Sequence, residues 1–139
     1  MKPDCRRAIL LDDEPLIRAL LENILKSCGY SVKSYSAPTE VAIFKRPEAC
    51  PAMSGKKDLF GESPTCAELI ITDVKMPVIN GIEYIKKIRQ AGCRVKHIAM
   101  MSGAWNQQKI LEAEALGCKI FHKPFTVAEM REWVLSLDD

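Results

Sequence analysis

The 139 residues carry 20 basic and 18 acidic side chains for a formal charge of +2, and 47% are hydrophobic. That suits one domain with a proper core, and charges of both signs spread along the chain call for neither nucleic acid nor a membrane surface as a direct partner. No apolar run approaches the roughly 18–20 residues of a spanning helix, and the amino-terminal residues lack a leader pattern, so a cytoplasmic, soluble protein is expected.

In chain order, the run from Arg6 to Leu11 reads as a first buried strand that ends at the acidic cluster Asp12-Asp13-Glu14. Pro15 suits the first turn of a helix. From Leu16 to Cys28, apolar residues at 17, 20, 21, 24 and 28 keep helical spacing, and Gly29 ends the helix. Tyr30 to Tyr35 alternates as a half-buried strand. A short helical pattern through Glu40, Val41, Ile43 and Phe44 stops at Pro47. Residues 46–66 hold three prolines and two glycines without a clean period, an irregular insertion that is either functional or tolerated on the surface.

The stretch Leu69-Ile-Ile-Thr-Asp73 is a buried strand that ends on a carboxylate, and the chain then breaks at Pro77 and Gly81. Ile82, Tyr84, Ile85 and Ile88 mark the next helix, with Lys86, Lys87 and Arg89 as its solvated face. Val95 to Ser102 is a fourth strand that finishes on a hydroxyl. Asn106 fits as the N-cap of a helix carrying Ile110, Leu111, Ala113, Ala115 and Leu116, and Gly117 ends it. Lys119 to His122 forms a fifth strand running into Lys123-Pro124, and Thr126 with Glu129 fits a capping box for a last helix with Val127, Met130, Trp133, Val134 and Leu137. Five strands alternating with five helices imply an α/β fold, a parallel sheet covered on both faces.

In such a sheet the carboxyl ends of the strands open on one side, where ligands bind. Asp12, Asp13, Asp73, Ser102 and Lys123 all fall at those ends. Three carboxylates, a hydroxyl and an ammonium make a hard oxygen site suited to Mg²⁺ and phosphate oxygens. Asp73 can then serve as a carboxylate nucleophile toward phosphorus, with Mg²⁺ and Lys123 neutralising the phosphoryl oxygens and Ser102 donating a hydrogen bond to the attached group. Alone, Asp12 to Glu14 reads equally as a solvated helix start favoured by the helix dipole; it is the matching strand ends of Asp73 and Lys123 that favour a site.

Four stretches, Leu11-Asp12-Asp13-Glu14-Pro15, Ile71-Thr-Asp73-Val-Lys-Met-Pro77 with Gly81, Met101-Ser102-Gly103 and Lys123-Pro124-Phe125, give the chain a resemblance to the receiver domain of two-component response regulators. It spans residues 1–139 as a single receiver domain, apart from the 46–66 insertion. The resemblance implies a flavodoxin-like, doubly wound five-stranded sheet in the order 2-1-3-4-5. It makes Asp73 the phosphoacceptor, Asp12, Asp13, Asp73 and the backbone carbonyl of Lys75 the Mg²⁺ contacts, Ser102 the switch hydroxyl and Lys123 the phosphate-binding lysine. It further implies a sensor histidine kinase or phosphotransfer protein as donor. A downstream protein would be engaged through the face formed by the helix after Asn106, the strand at 119–122 and the last helix, in a monomer or a phosphorylation-linked dimer. The chain would act as a phosphoacceptor rather than an enzyme, either alone or as a receiver cut from a longer regulator.

The sequence departs from the pattern at Ile120, where the family usually carries an aromatic switch residue, with Phe121 beside it. The segment from Gly117 to Lys123 is also one residue shorter than the commonest form. Lys75 and Ala104, each two residues beyond a site residue, flank the expected path of hydrolytic water and would tune the lifetime of the phosphorylated state. Two other functions compete with this one. A Mg²⁺-dependent aspartyl-phosphate phosphatase or phosphotransferase typically needs an acid–base carboxylate where Lys75 stands. A vestigial scaffold has no need of the full acidic, hydroxyl and lysine set.

The six cysteines Cys5, Cys28, Cys50, Cys66, Cys93 and Cys118 are expected as reduced thiols, with no Cys-x-x-Cys pair among them. They gather towards the amino-terminal edge of the sheet. They read as small buried residues at crowded turns, or, for Cys50, Cys66 and Cys93, as a thiol or metal site pinning the insertion. His97 and His122 read as strand or surface residues. Trp105 and Trp133 read as packing or partner contacts, with Trp105 the better reporter of site events.

Overall fold

The computed structural model describes residues 6–36, 67–76, 79–90 and 95–137. The short helical pattern at 40–44, the 46–66 insertion and Cys5, Cys50, Cys66 and Cys93 lie outside the described residues. The strands are β1 (Arg6–Leu11), β2 (Tyr30–Tyr35), β3 (Leu69–Asp73), β4 (His97–Ser102) and β5 (Lys119–His122). Between and after them run α1 (Pro15–Ser27), α2 (Gly81–Gln90), α3 (Gln107–Ala115) and α4 (Val127–Ser136). All strand pairs are parallel and the sheet order is β2-β1-β3-β4-β5, the doubly wound arrangement.

Alternation along the strands divides the core between two faces. Ile9, Leu11, Ile70, Ile98 and Met100 pack with Ile82, Ile85 and Ile88 of α2 and Ala113 of α3. Ala8, Leu10, Leu69, Ile71, Ala99, Met101 and Phe121 pack with Leu21, Ile24 and Leu25 of α1 and Met130 and Val134 of α4. Helices on both sides explain why β1, β3 and β4 are apolar almost throughout.

Local chemistry sets the helix ends. Pro15 opens α1, and Gly29 follows it at φ +94°, a conformation that favours glycine. Asn106 accepts the Lys109 N–H at 2.8 Å, and Thr126 and Glu129 complete a reciprocal capping box.

Three expectations need correction. β4 starts at His97 rather than Val95: Val95 is buried, but the ladder begins only two residues on. Arg89, expected on a solvated face, is half-buried and its guanidinium donates to the Val95 carbonyl at 3.0 Å. Leu111 of α3 and Val127 of α4 stand 59% and 42% exposed, so the apolar positions of these helices are only partly used by the core.

Gly81 matters through contact rather than dihedral freedom. A Cβ there would collide with the backbone carbonyl oxygen of Asp73, and it would lie 3.2 Å from Thr72 Oγ1. The Gly81 N–H also donates to the Val74 carbonyl at 2.8 Å, seating the start of α2 against the end of β3. Gly81→Ala is expected to lower stability by about 1–3 kcal/mol, since backbone must shift to admit the methyl. Urea denaturation checks this, and an unchanged midpoint would contradict the close approach.

Candidate functional site

The register brings the site residues level. Leu11 pairs with Thr72, Asp73 with Met101, and Ser102 with His122, so the residues following β1 and β5 and those closing β3 and β4 converge at one end of the sheet. A pocket there is lined by Asp13, Glu14, Asp73, Lys75, Ser102, Ala104 and Lys123, with Asn80 and Lys109 on its rim. Asp12 lies fully buried beside it.

Lys123 is the hub. Its ammonium lies 3.0 Å from Asp12 Oδ2, 3.2 Å from Glu14 Oε1 and 3.3 Å from Asp73 Oδ2. Asp12 is fixed further: its Oδ1 accepts the Glu14 N–H at 2.8 Å and its carbonyl accepts from Arg18 at 2.7 Å. Carboxylate oxygens of Asp12, Asp13 and Asp73 fall within 4.8 Å of one another, close enough to share one metal ion. The oxygen-only donor set fits a hard divalent cation.

The electrostatics follow from burial. Loss of solvent and the neighbouring Asp12 push the Asp73 carboxyl up to about 6, against the opposing pull of Lys123 and the Lys75 N–H. Burial alone would lower Lys123; its hydrogen bonds to Asp12 and Glu14 and the charges of Asp12 and Asp73 outweigh that and raise it.

Ser102 is buried, and its hydroxyl accepts the Ala104 N–H at 3.0 Å. Ile120 and Phe121 part company: Ile120, like Trp105, packs against the buried cluster on the α2 and α3 face, whereas Phe121 faces the other cluster, 5.6 Å from the Trp133 ring. Trp105 donates its indole N–H to the Phe121 carbonyl at 2.8 Å and lies edge-on to His122. Half-buried His97 opens β4. Sequence reasoning gave no role to Glu14, Arg18, Asn80 or Lys109. Adjacency to Asp12 signalled Glu14, and helical spacing from the acidic cluster was the only signal for Arg18.

A doubly wound parallel sheet with an acidic pocket at its carboxyl end is an arrangement able to hold a hard cation at the usual ligand-binding edge of an α/β domain. The family model for the response regulator receiver domain matches residues 8–135, and the chain belongs to that family, the receivers of two-component signal transduction. Chemotaxis protein CheY of Thermotoga maritima is 27% identical over 128 residues, covering 91% of this chain and 92% of that one. CheY of Bacillus subtilis is 26% identical over 127 residues, with 91% and 92% covered. A receiver protein structure from Pseudomonas putida matches the fold with TM-score 0.73 at 22% identity, covering 97% and 99%. Among the described residues no helix is long and apolar enough to cross a membrane.

The raised Asp73 carboxyl has a consequence for stability. The unfolded group titrates near its ordinary 3.8 and the folded one near 6, so the metal-free fold binds that proton more tightly and loses stability as pH rises between the two values. Asp73→Asn is therefore expected to stabilise the metal-free protein by roughly 1–3 kcal/mol at about pH 7.5, with the gain fading towards about pH 4. Urea denaturation in the presence of a chelator tests it. A lower midpoint for the variant at about pH 7.5 would show that the attraction to Lys123 dominates.

Proposed function

We propose that the chain accepts a phosphoryl group on Asp73 from a sensor histidine kinase or phosphotransfer protein, with Mg²⁺ as cofactor. The observation that carries this reading is the placing of the Asp73 carboxylate between the Asp12 and Asp13 carboxylates and the Lys123 ammonium in one open pocket. A carboxylate oxygen of Asp73 attacks phosphorus in line, and the phosphorus–nitrogen bond of the donor's phosphohistidine breaks as the imidazole leaves. The product is an acyl phosphate. Asp12, Asp13, Asp73 and the Lys75 carbonyl would hold Mg²⁺, which would supply charge neutralisation for the carboxylates and phosphoryl oxygens. Lys123 takes one phosphoryl oxygen.

Ser102 releases the Ala104 N–H and donates a hydrogen bond from its hydroxyl to another phosphoryl oxygen. The space it vacates at the end of β4 lets the face of α3, β5 and α4 rearrange for a downstream protein. Lys75 and Ala104, both exposed at the pocket, govern the approach of the water that hydrolyses the acyl phosphate. This is a cytoplasmic phosphoacceptor, monomeric or dimerising on phosphorylation. An aspartyl-phosphate phosphatase is disfavoured, because its acid–base carboxylate would stand where this chain has Lys75.

Intact-mass measurement with Mg²⁺ and acetyl phosphate tests the reading. One phosphoryl adduct is expected on the wild type, failing to form when a chelator replaces Mg²⁺ and absent from Asp73→Asn. An adduct that persists in the variant would move the acceptor elsewhere, and no adduct on the Mg²⁺-loaded wild type would remove the function.

A further inference from the structure

Glu14 stands 61% exposed, yet its carboxylate turns inward to Lys123 at 3.2 Å. It occupies the N-cap position of α1 and makes no side-chain capping bond, although short polar caps are what helix starts usually employ. An ammonium has three donors, and here three carboxylates surround it: Asp12, Glu14 and Asp73. For Lys123 to take a phosphoryl oxygen, a carboxylate must withdraw. Asp12 is fully buried and pinned by the Glu14 N–H. Asp73 is the acceptor itself. Glu14 alone has a solvated side chain free to swing away.

We propose that Glu14 is a positioning residue, a built-in counter-anion that occupies Lys123 in the resting protein and must release it before Lys123 can bind the incoming phosphoryl group. The proposal rests on the phosphoacceptor reading. An exposed carboxylate makes a weak partner, so the hold slows the reaction without blocking it, and after hydrolysis Glu14 recaptures the lysine. Reach is essential to this role: an aspartate at the same position keeps the charge but is one methylene too short to hold the contact.

The test compares the full chain with Glu14→Gln and Glu14→Asp for the rate of adduct formation from acetyl phosphate at saturating Mg²⁺, and repeats the Glu14→Gln comparison on a Lys123→Gln background. Both single variants are expected to gain about two- to fivefold in rate, and the gain of Glu14→Gln is expected to vanish when Lys123 is replaced. Beryllofluoride, a phosphoryl mimic, should bind the two single variants more tightly by a similar factor. If Glu14→Asp behaves as the wild type, or the gain survives without Lys123, the effect is general charge repulsion and the proposal is wrong. Unchanged rates in both single variants also overturn it. A wild type that takes no adduct removes the phosphoacceptor reading and this proposal with it.

Discussion

The site depends on one arrangement: the Lys123 ammonium set against two buried carboxylates, Asp12 and Asp73, that would otherwise repel one another. Two like charges taken out of water at short range are strongly unfavourable, and an opposing cation compensates only in part. The Asp73 carboxyl pushed up to about 6 is the remainder of that conflict. An excess of negative charge around one cation is also what makes the pocket receptive to a divalent ion. The same imbalance thus weakens the metal-free fold and prepares the site.

Most of the fold was legible because its causes are local or periodic. Apolar runs in β1, β3 and β4 report a sheet covered on both sides, and Asn106, Thr126 with Glu129, Gly29 and Gly117 mark helix ends through their own backbone chemistry. Asp12, Asp73, Ser102 and Lys123 could be grouped because parallel strands put their carboxyl ends together. What was misread or missed involves partners distant in sequence or contacts invisible to periodicity. Glu14 meets a lysine 109 positions away. Arg89 sits in a polar stripe, yet the Val95 carbonyl draws it back to the protein. Gly81 looks like a simple break, while its need for hydrogen in place of a side chain comes from the carbonyl of Asp73. Val95 shows that burial and ladder pairing are separate properties.

Of the six cysteines, Cys28 and Cys118 are described, and both are free thiols. Burial raises the Cys118 thiol to about 11, so at neutral pH it stays protonated and packs as a small apolar group rather than reacting. For this position the reading of cysteine as a space-filler beneath a turn has a direct physical basis.

Rigid and adjustable parts of the pocket are divided along the backbone. Hydrogen bonding continues past the strand ends: Asp12 N–H donates to the Tyr35 carbonyl at 3.1 Å, Val74 to Met101 at 2.9 Å and Lys123 to Ser102 at 2.8 Å. Asp12, Asp73, Ser102 and Lys123 are therefore carried on main chain that the sheet itself fixes, which is how a site holds geometry to a fraction of an ångström. Glu14, Lys75 and Ala104 stand one or two residues further out, exposed at the pocket on turns that the ladder does not constrain. Their side chains project from the rim, so substitution there leaves in place the main chain that carries the buried carboxylates and Lys123. A scaffold of this kind separates a main chain fixed by the sheet from side chains at the rim that can change without disturbing it.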